Sequence, residues 1–303
     1  MTKIYLRGVI LLYLLAQALI TVDAIAAHGI GAPKAKLWEK WTAHDPAATS
    51  KLDHSAWGQF LKKYVRPHAS GVNRIAYAKV EDADRRKLDS YIGQLAETPI
   101  SRFSRDEQFA YWVNLYNALT IKVILDAYPV DSIRDIRSGL FSAGPWDKRL
   151  IAVEGEQHTL NDIEHRILRP IWKDPRVHYA VNCASISCPN LQPVPFRGAT
   201  RDVLLDKAAR EFINHPRGAR VDRGRLVVAS IYVWFQEDFG NSDKGVIEHL
   251  RRYASPKLSD SLSSVMRIAD DRYDWTLNDV GASTVVQETQ QRRRRGSFYG
   301  QSR

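Results

Sequence analysis

Two cysteines and two methionines are all the sulfur in 303 residues. Cys183 and Cys188 stand in a C-x4-C spacing with histidines upstream, which is not a recurrent zinc spacing, and no second cysteine pair completes a site. No metal and no cofactor is therefore expected. Long apolar runs are equally scarce. The segment from Gly8 to Ile20 (GVILLYLLAQALI) is broken only by Gln17, and no later stretch is long and apolar enough to span a bilayer. As a helix that segment covers about 20 Å at ~1.5 Å per residue. The hydrocarbon core is about 30 Å thick. Internal repeats and low-complexity linkers are also missing before the C-terminal tail, and so is the regular βαβ alternation of a doubly wound sheet.

What is there begins with an export pattern. Lys3 and Arg7 precede the apolar segment, and Ala24-Ile25-Ala26 offers small residues at the right separation. This predicts a signal peptide over residues 1–26, cleaved near Ala26-Ala27, and a periplasmic or secreted protein. Of the ten net positive charges, five come from arginines in residues 292–303, which hold no acid, and one from the leader. The remainder is a mild excess, so nucleic acid is not expected as a partner. Residues 286–303 are predicted to be a disordered tail whose Arg292–Arg295 run fits contact with an anionic surface. Residues 27–50 form an extension, and residues 51–285 one domain, expected to be monomeric, with a cell-envelope substrate or partner.

The pattern over 51–285 is α+β: a single helix-rich domain with a small sheet and hairpins. Asp53 precedes apolar residues at helical spacing, Trp57, Phe60, Leu61 and Tyr64. Ser104 to Glu107 reads as a capping box opening the longest helix, RDEQFAYWVNLYNALTIKVILDAY, which is apolar nearly all round and should be central. Thr159 to Asp162 resembles a second box before the helix LNDIEHRILR. VHYAV reads as a buried strand leading into the cysteines, residues 221–228 as a hairpin, and SIYVWFQEDF as a helix.

A cysteine nucleophile needs a base and a group to orient that base. His178 lies five residues before Cys183, and on a regular strand the two point to opposite faces. His165 lies about 200° around the helix from Ile163 at ~100° per residue, off the packed face. It is the better-placed imidazole, with a solvent-facing position as the alternative. Asn114 and Asn117 put two amides in an apolar helix, which requires partners. Their first reading is structural, as ties to a neighbouring loop. Glu107 shares a face with Asn114 but has an equally simple role in the capping box. A Cys183–Cys188 disulfide is the rival to a free nucleophile in an oxidising compartment. So short a loop gives only about 2 kcal/mol by chain entropy.

The ordered blocks EQFAYWVNLYNALT, YPVDSI, GPW, LNDIEHRILRP, DPRVHYAVNCASISCPNL and SIYVWFQEDF resemble the family called domain of unknown function 547, over roughly Trp57 to Tyr253. The resemblance implies a polar signature at Glu107, Asn114, Asn117, His165, His178, Asn182, Cys183, Ser187, Cys188 and Asp238. That set is similar in kind to papain- or transglutaminase-like hydrolases, although those folds place the cysteine before the histidine and here both histidines precede it. It implies a cysteine-dependent amide or ester hydrolase or acyltransferase. Cys183 would be the nucleophile, His165 or His178 the base, and Glu107 or Asp238 the orienting carboxylate. Asn182 or nearby N–H groups would face the oxyanion. The alternative is a non-catalytic envelope binding or scaffold module with Cys183 and Cys188 bridged.

Overall fold

Asp53 accepts hydrogen bonds from the Ser55 N–H at 2.9 Å and the Ser55 hydroxyl at 2.8 Å. Helix α1 follows at once over Ser55–Tyr64 and buries Trp57, Phe60, Leu61 and Tyr64. The computed structural model describes residues 32–137 and 144–281. The leader, its cleavage site and the Arg292–Arg295 run lie outside those residues. A short antiparallel pair, β1 (Val65–Arg66) and β2 (Arg74–Ile75), leads to α2 (Asp82–Glu97).

Helix α3 (Arg105–Ala127) is the axis of the fold, with every residue from Glu107 to Ile121 buried. A helix apolar on all sides has no face for water and must sit at the centre. Its N-terminus departs from the expected capping box. Ser104 occupies the N-cap, but its side chain makes no capping hydrogen bond. Glu107 instead accepts the Leu52 N–H at 3.3 Å. Gly198 is packed so close that a Cβ there would lie 2.7 Å from Glu107 Oε1. Two distant loops reach the carboxylate, and they displace the local partner.

Strands β3 (Ile151–Val153) and β4 (Glu156–His158) form a hairpin. Thr159 and Asp162 then close the box that their sequence predicts: the Asp162 N–H donates to Thr159 Oγ1 at 3.0 Å, and the Thr159 N–H and hydroxyl donate to Asp162 Oδ2. The helix they start is π-helical over Asp162–Leu168 before tightening into α4 (Arg169–Trp172). The Arg169 N–H reaches back five residues to the Glu164 carbonyl. Pro170 gives a physical cause, since it has no N–H for the Arg166 carbonyl and its ring crowds that position. The Arg166 and His165 carbonyls are taken instead by Trp38 N–H at 3.0 Å and Lys36 N–H at 2.9 Å. The extension before α1 is thereby bound onto the π turn.

VHYAV is not a strand. It forms the single-turn helix α5 (Val177–Ala180). Asp174 Oδ1 accepts the Arg176 N–H at 2.9 Å, and the Val177 N–H returns to the Asp174 carbonyl, so the Asp-Pro turn launches a helix. Val177 and Ala180 pack into the core around α3, while Tyr179 belongs to a second core nearer the C-terminus. A short segment buried on both sides has the same apolar pattern as a buried strand.

Helix α6 (Arg201–Ile213) joins the two cores, and the hairpin of β5 (Ala219–Asp222) and β6 (Arg225–Ala229) follows. SIYVWFQEDF is broken into α7 (Ile231–Trp234) and a 3-10 turn, Gln236–Phe239. After α8 (Asp243–Tyr253) and α9 (Pro256–Leu262), an unpredicted strand β7 (Ile268–Arg272) pairs parallel to β6. The sheet order is β5-β6-β7. The fold is α+β, a single helix-rich domain with small sheets and hairpins. Among the described residues, no helix is long and apolar enough to cross a membrane.

Candidate functional site

The two sulfurs meet where α5 ends. Cys183 and Cys188 are free thiols whose Sγ atoms share a hydrogen bond at 3.1 Å. The Cys183 N–H also points at Cys188 Sγ, at 3.0 Å. Asn182 organises the loop: its Oδ1 accepts the Ala184 N–H at 2.9 Å and its Nδ2 donates to the Pro189 carbonyl at 2.6 Å. Ala184 is left-handed at φ 60°, a conformation that costs a non-glycine residue about 1–2 kcal/mol. The surrounding bonds hold it there.

Tyr273 and Ser185 complete the surroundings of Cys183. The Ser185 hydroxyl donates to Tyr273 Oη at 3.1 Å, which leaves the phenolic proton free to point at Cys183 Sγ, 3.0 Å away. Ser185 Oγ itself is 3.4 Å from that sulfur. Hydrogen bonding with Cys188 first, then with Ser185 and Tyr273, holds the Cys183 thiol below its ordinary range against the effect of burial. Burial pushes the Cys188 thiol well up. Cys183 is partly exposed, whereas Cys188 is buried. Tyr273 also leads to a half-buried aromatic group, with Trp234 and Trp275 at 4.8 and 4.5 Å between ring centres and Trp146 against Trp275 at 5.6 Å.

The histidines lie in a second cluster organised by Arg169. That guanidinium is buried and donates to Pro33 O, His165 Nδ1, Asp238 Oδ2 and Glu237 Oε1. His165 is buried too, at 5% exposure, because the Gln236–Phe239 turn and Phe235 cover the side of the π turn that a lone helix would show to water. With an arginine N–H fixed on Nδ1 its imidazole must be neutral, and burial takes it down to about 4. His178 Nε2 lies 2.7 Å from Asp238 Oδ2, and its ring stacks on Phe235. Burial alone would raise the Asp238 carboxyl, but hydrogen bonds from His178 and Arg169 outweigh it and bring it to about 2. The ionised carboxylate makes Nε2 the protonated nitrogen and leaves Nδ1 toward Glu164, at 3.7 Å.

No hydrogen bond joins Cys183 to either histidine among the described residues. The strand argument against His178 fails, since it sits on α5, but the helix turns its ring toward Asp238. Glu164 lies between the clusters electrostatically: it acts on the Cys183 thiol, raising its pKa, and on the Tyr116 phenol.

The remaining predicted residues hold the cysteine loop in place. Asn117 donates to the Ala180 carbonyl at 2.9 Å and accepts the Asn182 N–H at 2.8 Å, tying α3 to the chain just before Cys183. Asn114 does the same one turn earlier with Phe196, at 2.8 and 3.0 Å. Ser187 Oγ accepts the Asp274 N–H at 2.7 Å and so brings the Tyr273 segment against the loop. Asn182 uses both ends of its amide inside the loop, and Glu107 accepts from Leu52 and packs against Gly198. Sequence reasoning missed Tyr273, Ser185, Glu164 and Arg169. Arg169 was the legible one, a charge inside an apolar helix just before a proline. Tyr273, ninety positions from Cys183, carries no local signal. Among the described residues, no cluster of three His, Cys, Asp or Glu side chains is arranged to hold a metal ion.

These features define a helix-rich α+β domain whose centre carries a hydrogen-bonded dithiol loop beside an Arg-Asp-His cluster. Residues 100–213 match the family described as protein of unknown function, DUF547. The match holds both cysteines, His165 and His178. Asp238 and Tyr273 lie beyond it, within and after the longer stretch of sequence resemblance respectively. No curated protein and no solved structure matches the chain.

Proposed function

We propose that the domain is a cysteine-dependent hydrolase or acyltransferase of the cell envelope, with Cys183 as the nucleophile acting on an amide or ester. The observation that carries this reading is the phenolic hydroxyl of Tyr273 at 3.0 Å from the Sγ of half-buried Cys183, which also shares a hydrogen bond with Cys188. A sulfur that faces a phenolic donor and shares a proton with a second thiol is favoured as a thiolate before substrate arrives. Attack then needs no imidazole to remove the proton, which fits the lack of a hydrogen bond from Cys183 to either histidine among the described residues.

The thiolate adds to the carbonyl carbon, a C–S bond forms, and the C–N or C–O bond breaks. The leaving group takes its proton from Tyr273, whose phenol burial keeps protonated well above its usual range. Water or an acceptor hydroxyl then resolves the thioester. His178, oriented by Asp238 as an imidazole is oriented by a carboxylate, supplies the base for that step through the nitrogen facing Glu164. The export pattern supports a location outside the cytoplasm for this chemistry.

Acid-quenched intact-mass measurement of the reduced mature chain with an activated ester such as p-nitrophenyl acetate tests the reading. The expected result is one acyl group on Cys183, lost in Cys183→Ala and long-lived in His178→Ala. An unlabelled Cys183, or turnover retained by Cys183→Ala, overturns it. N-terminal sequencing of the periplasmic or secreted fraction, expected to start near Ala27, tests the location.

A further inference from the structure

The two thiols are unequal in the properties that thiol–disulfide exchange uses. Cys183 is half-buried, whereas Cys188, at 5% exposure, is buried. Their sulfurs lie 3.1 Å apart, and the backbone N–H of Cys183 is directed at the buried sulfur. The loop that sets this distance is fixed at both ends. Asn117 holds Ala180 and Asn182 on one side, the Asn182 side chain bridges to Ala184 and Pro189, and Arg217 donates to the Ile186 carbonyl at 3.0 Å from another element. A cross-link made only for strength gains little from a loop of this size. Two thiols drawn together inside a hydrogen-bonded loop, one less buried than the other, fit sequential use.

We propose that Cys183 and Cys188 are a thiol–disulfide exchange pair, Cys183 the entry sulfur and Cys188 the resolving sulfur, acting on a peptide or protein disulfide. This activity goes beyond acyl transfer and does not depend on it. In the first step the Cys183 thiolate attacks one sulfur of the substrate disulfide. A bond forms between Cys183 and that sulfur, the substrate S–S bond breaks, and the other substrate sulfur leaves as thiolate. In the second step Cys188 attacks Cys183 Sγ, the mixed disulfide breaks, and the departing substrate sulfur takes the proton that Cys188 gives up. Two electrons pass to the substrate, and the protein is left with a Cys183–Cys188 disulfide. A dithiol protein of the same compartment restores the reduced pair by the reverse exchange. The order follows from access: the less buried sulfur meets the substrate disulfide first, and the buried one, 3.1 Å away, resolves the mixed disulfide.

The test uses the reduced mature chain with glutathione disulfide as the probe, followed by acid-quenched mass mapping. Wild type is expected to release two glutathione molecules and finish with the internal disulfide. Cys188→Ala, with Cys188→Ser as a second variant of native size, should stop with one glutathione on Cys183. Cys183→Ala should react at least about ten-fold more slowly. A glutathione adduct that persists on wild-type Cys183, first attack at Cys188, or no reaction of folded wild type overturns the proposal. Acylation of wild type by the ester is scored separately. Exchange without acylation overturns only the acyl-transfer reading, and acylation without exchange overturns only this one.

Discussion

Tyr273 Oη sits 3.0 Å from Cys183 Sγ, although ninety positions separate the two residues in the chain. Tyr273→Phe removes that donor and leaves the ring. A hydrogen bond to a charged group contributes about 1.5–3 kcal/mol, so the pH profile of Cys183 alkylation should move up by roughly one unit or more. Iodoacetamide rates across pH 5 to 9 give the profile. Unchanged rates would show that the phenol does not stabilise the thiolate.

Asn117 and Asn114 make matching pairs of backbone bonds, but only Asn117 holds the residues next to Cys183. Each alanine variant leaves a buried N–H and a buried carbonyl without partners. Both should cost about 2–4 kcal/mol in urea unfolding. Only Asn117→Ala is expected to change Cys183 alkylation in the folded protein. Equal effects of both variants on that rate would refute a local role for Asn117.

Four buried imidazoles, His54, His158, His165 and His249, are each brought down to about 4 by burial from 6.5. A depressed pKa gives stability that is complete above the unfolded value and is lost as pH falls through the folded one. Urea midpoints should therefore be level above pH 6.5 and drop steeply between pH 6.5 and 4. Asp238 adds a lower step, present above 3.8 and lost as pH falls through about 2. His165→Gln, whose amide oxygen can still accept from Arg169, should make the drop between pH 6.5 and 4 shallower. If it does not, His165 is not among the groups that take up protons on unfolding.

Asp238→Ala strips Arg169 and His178 of the oxygen they share. Removing one partner of a buried pair costs about 3–5 kcal/mol because the other charge is left behind. Glu237 still binds the guanidinium, so the lower end is expected. A loss below about 1 kcal/mol would place this pair with exposed ion pairs.

Pro170→Ala returns an N–H that can compete for the Arg166 carbonyl. The π turn should tighten toward α, and the extension should lose its hold there. Hydrogen exchange at Lys36 and Trp38, whose amides bind His165 and Arg166, is expected to speed up several-fold. Unchanged protection at both would clear Pro170 as the cause of the π geometry.

Much of the scaffold was legible because its signals are local. The apolar circumference of α3 made it central, Thr159 and Asp162 closed the predicted box, and the two buried asparagines had to find loop partners. Where distant groups intervene, local reading fails. Glu107 has the correct spacing for a capping box, yet the Leu52 N–H and the close approach of Gly198 take its carboxylate. His165 points away from its helix's packed face, yet Phe235 covers it there. VHYAV reads as a strand and IADDR gives no strand signal, for opposite reasons. The first is buried on both sides and so lacks a helical stripe, and the second lacks the alternation that marks a strand.

By itself, the sequence determined the helix-rich α+β class, the central helix, the resemblance to the family that residues 100–213 match, and Cys183 as the residue to test. Each rests on residue type or short-range periodicity, which survive without three-dimensional context. Only the tertiary structure decided the company each group keeps. It set Tyr273 against the Cys183 sulfur, gave Arg169 and His178 to Asp238, and buried Cys188 more deeply than Cys183. Hydrogen bonds between residues sixty to ninety positions apart depend on how the two cores pack, and no local pattern encodes that packing.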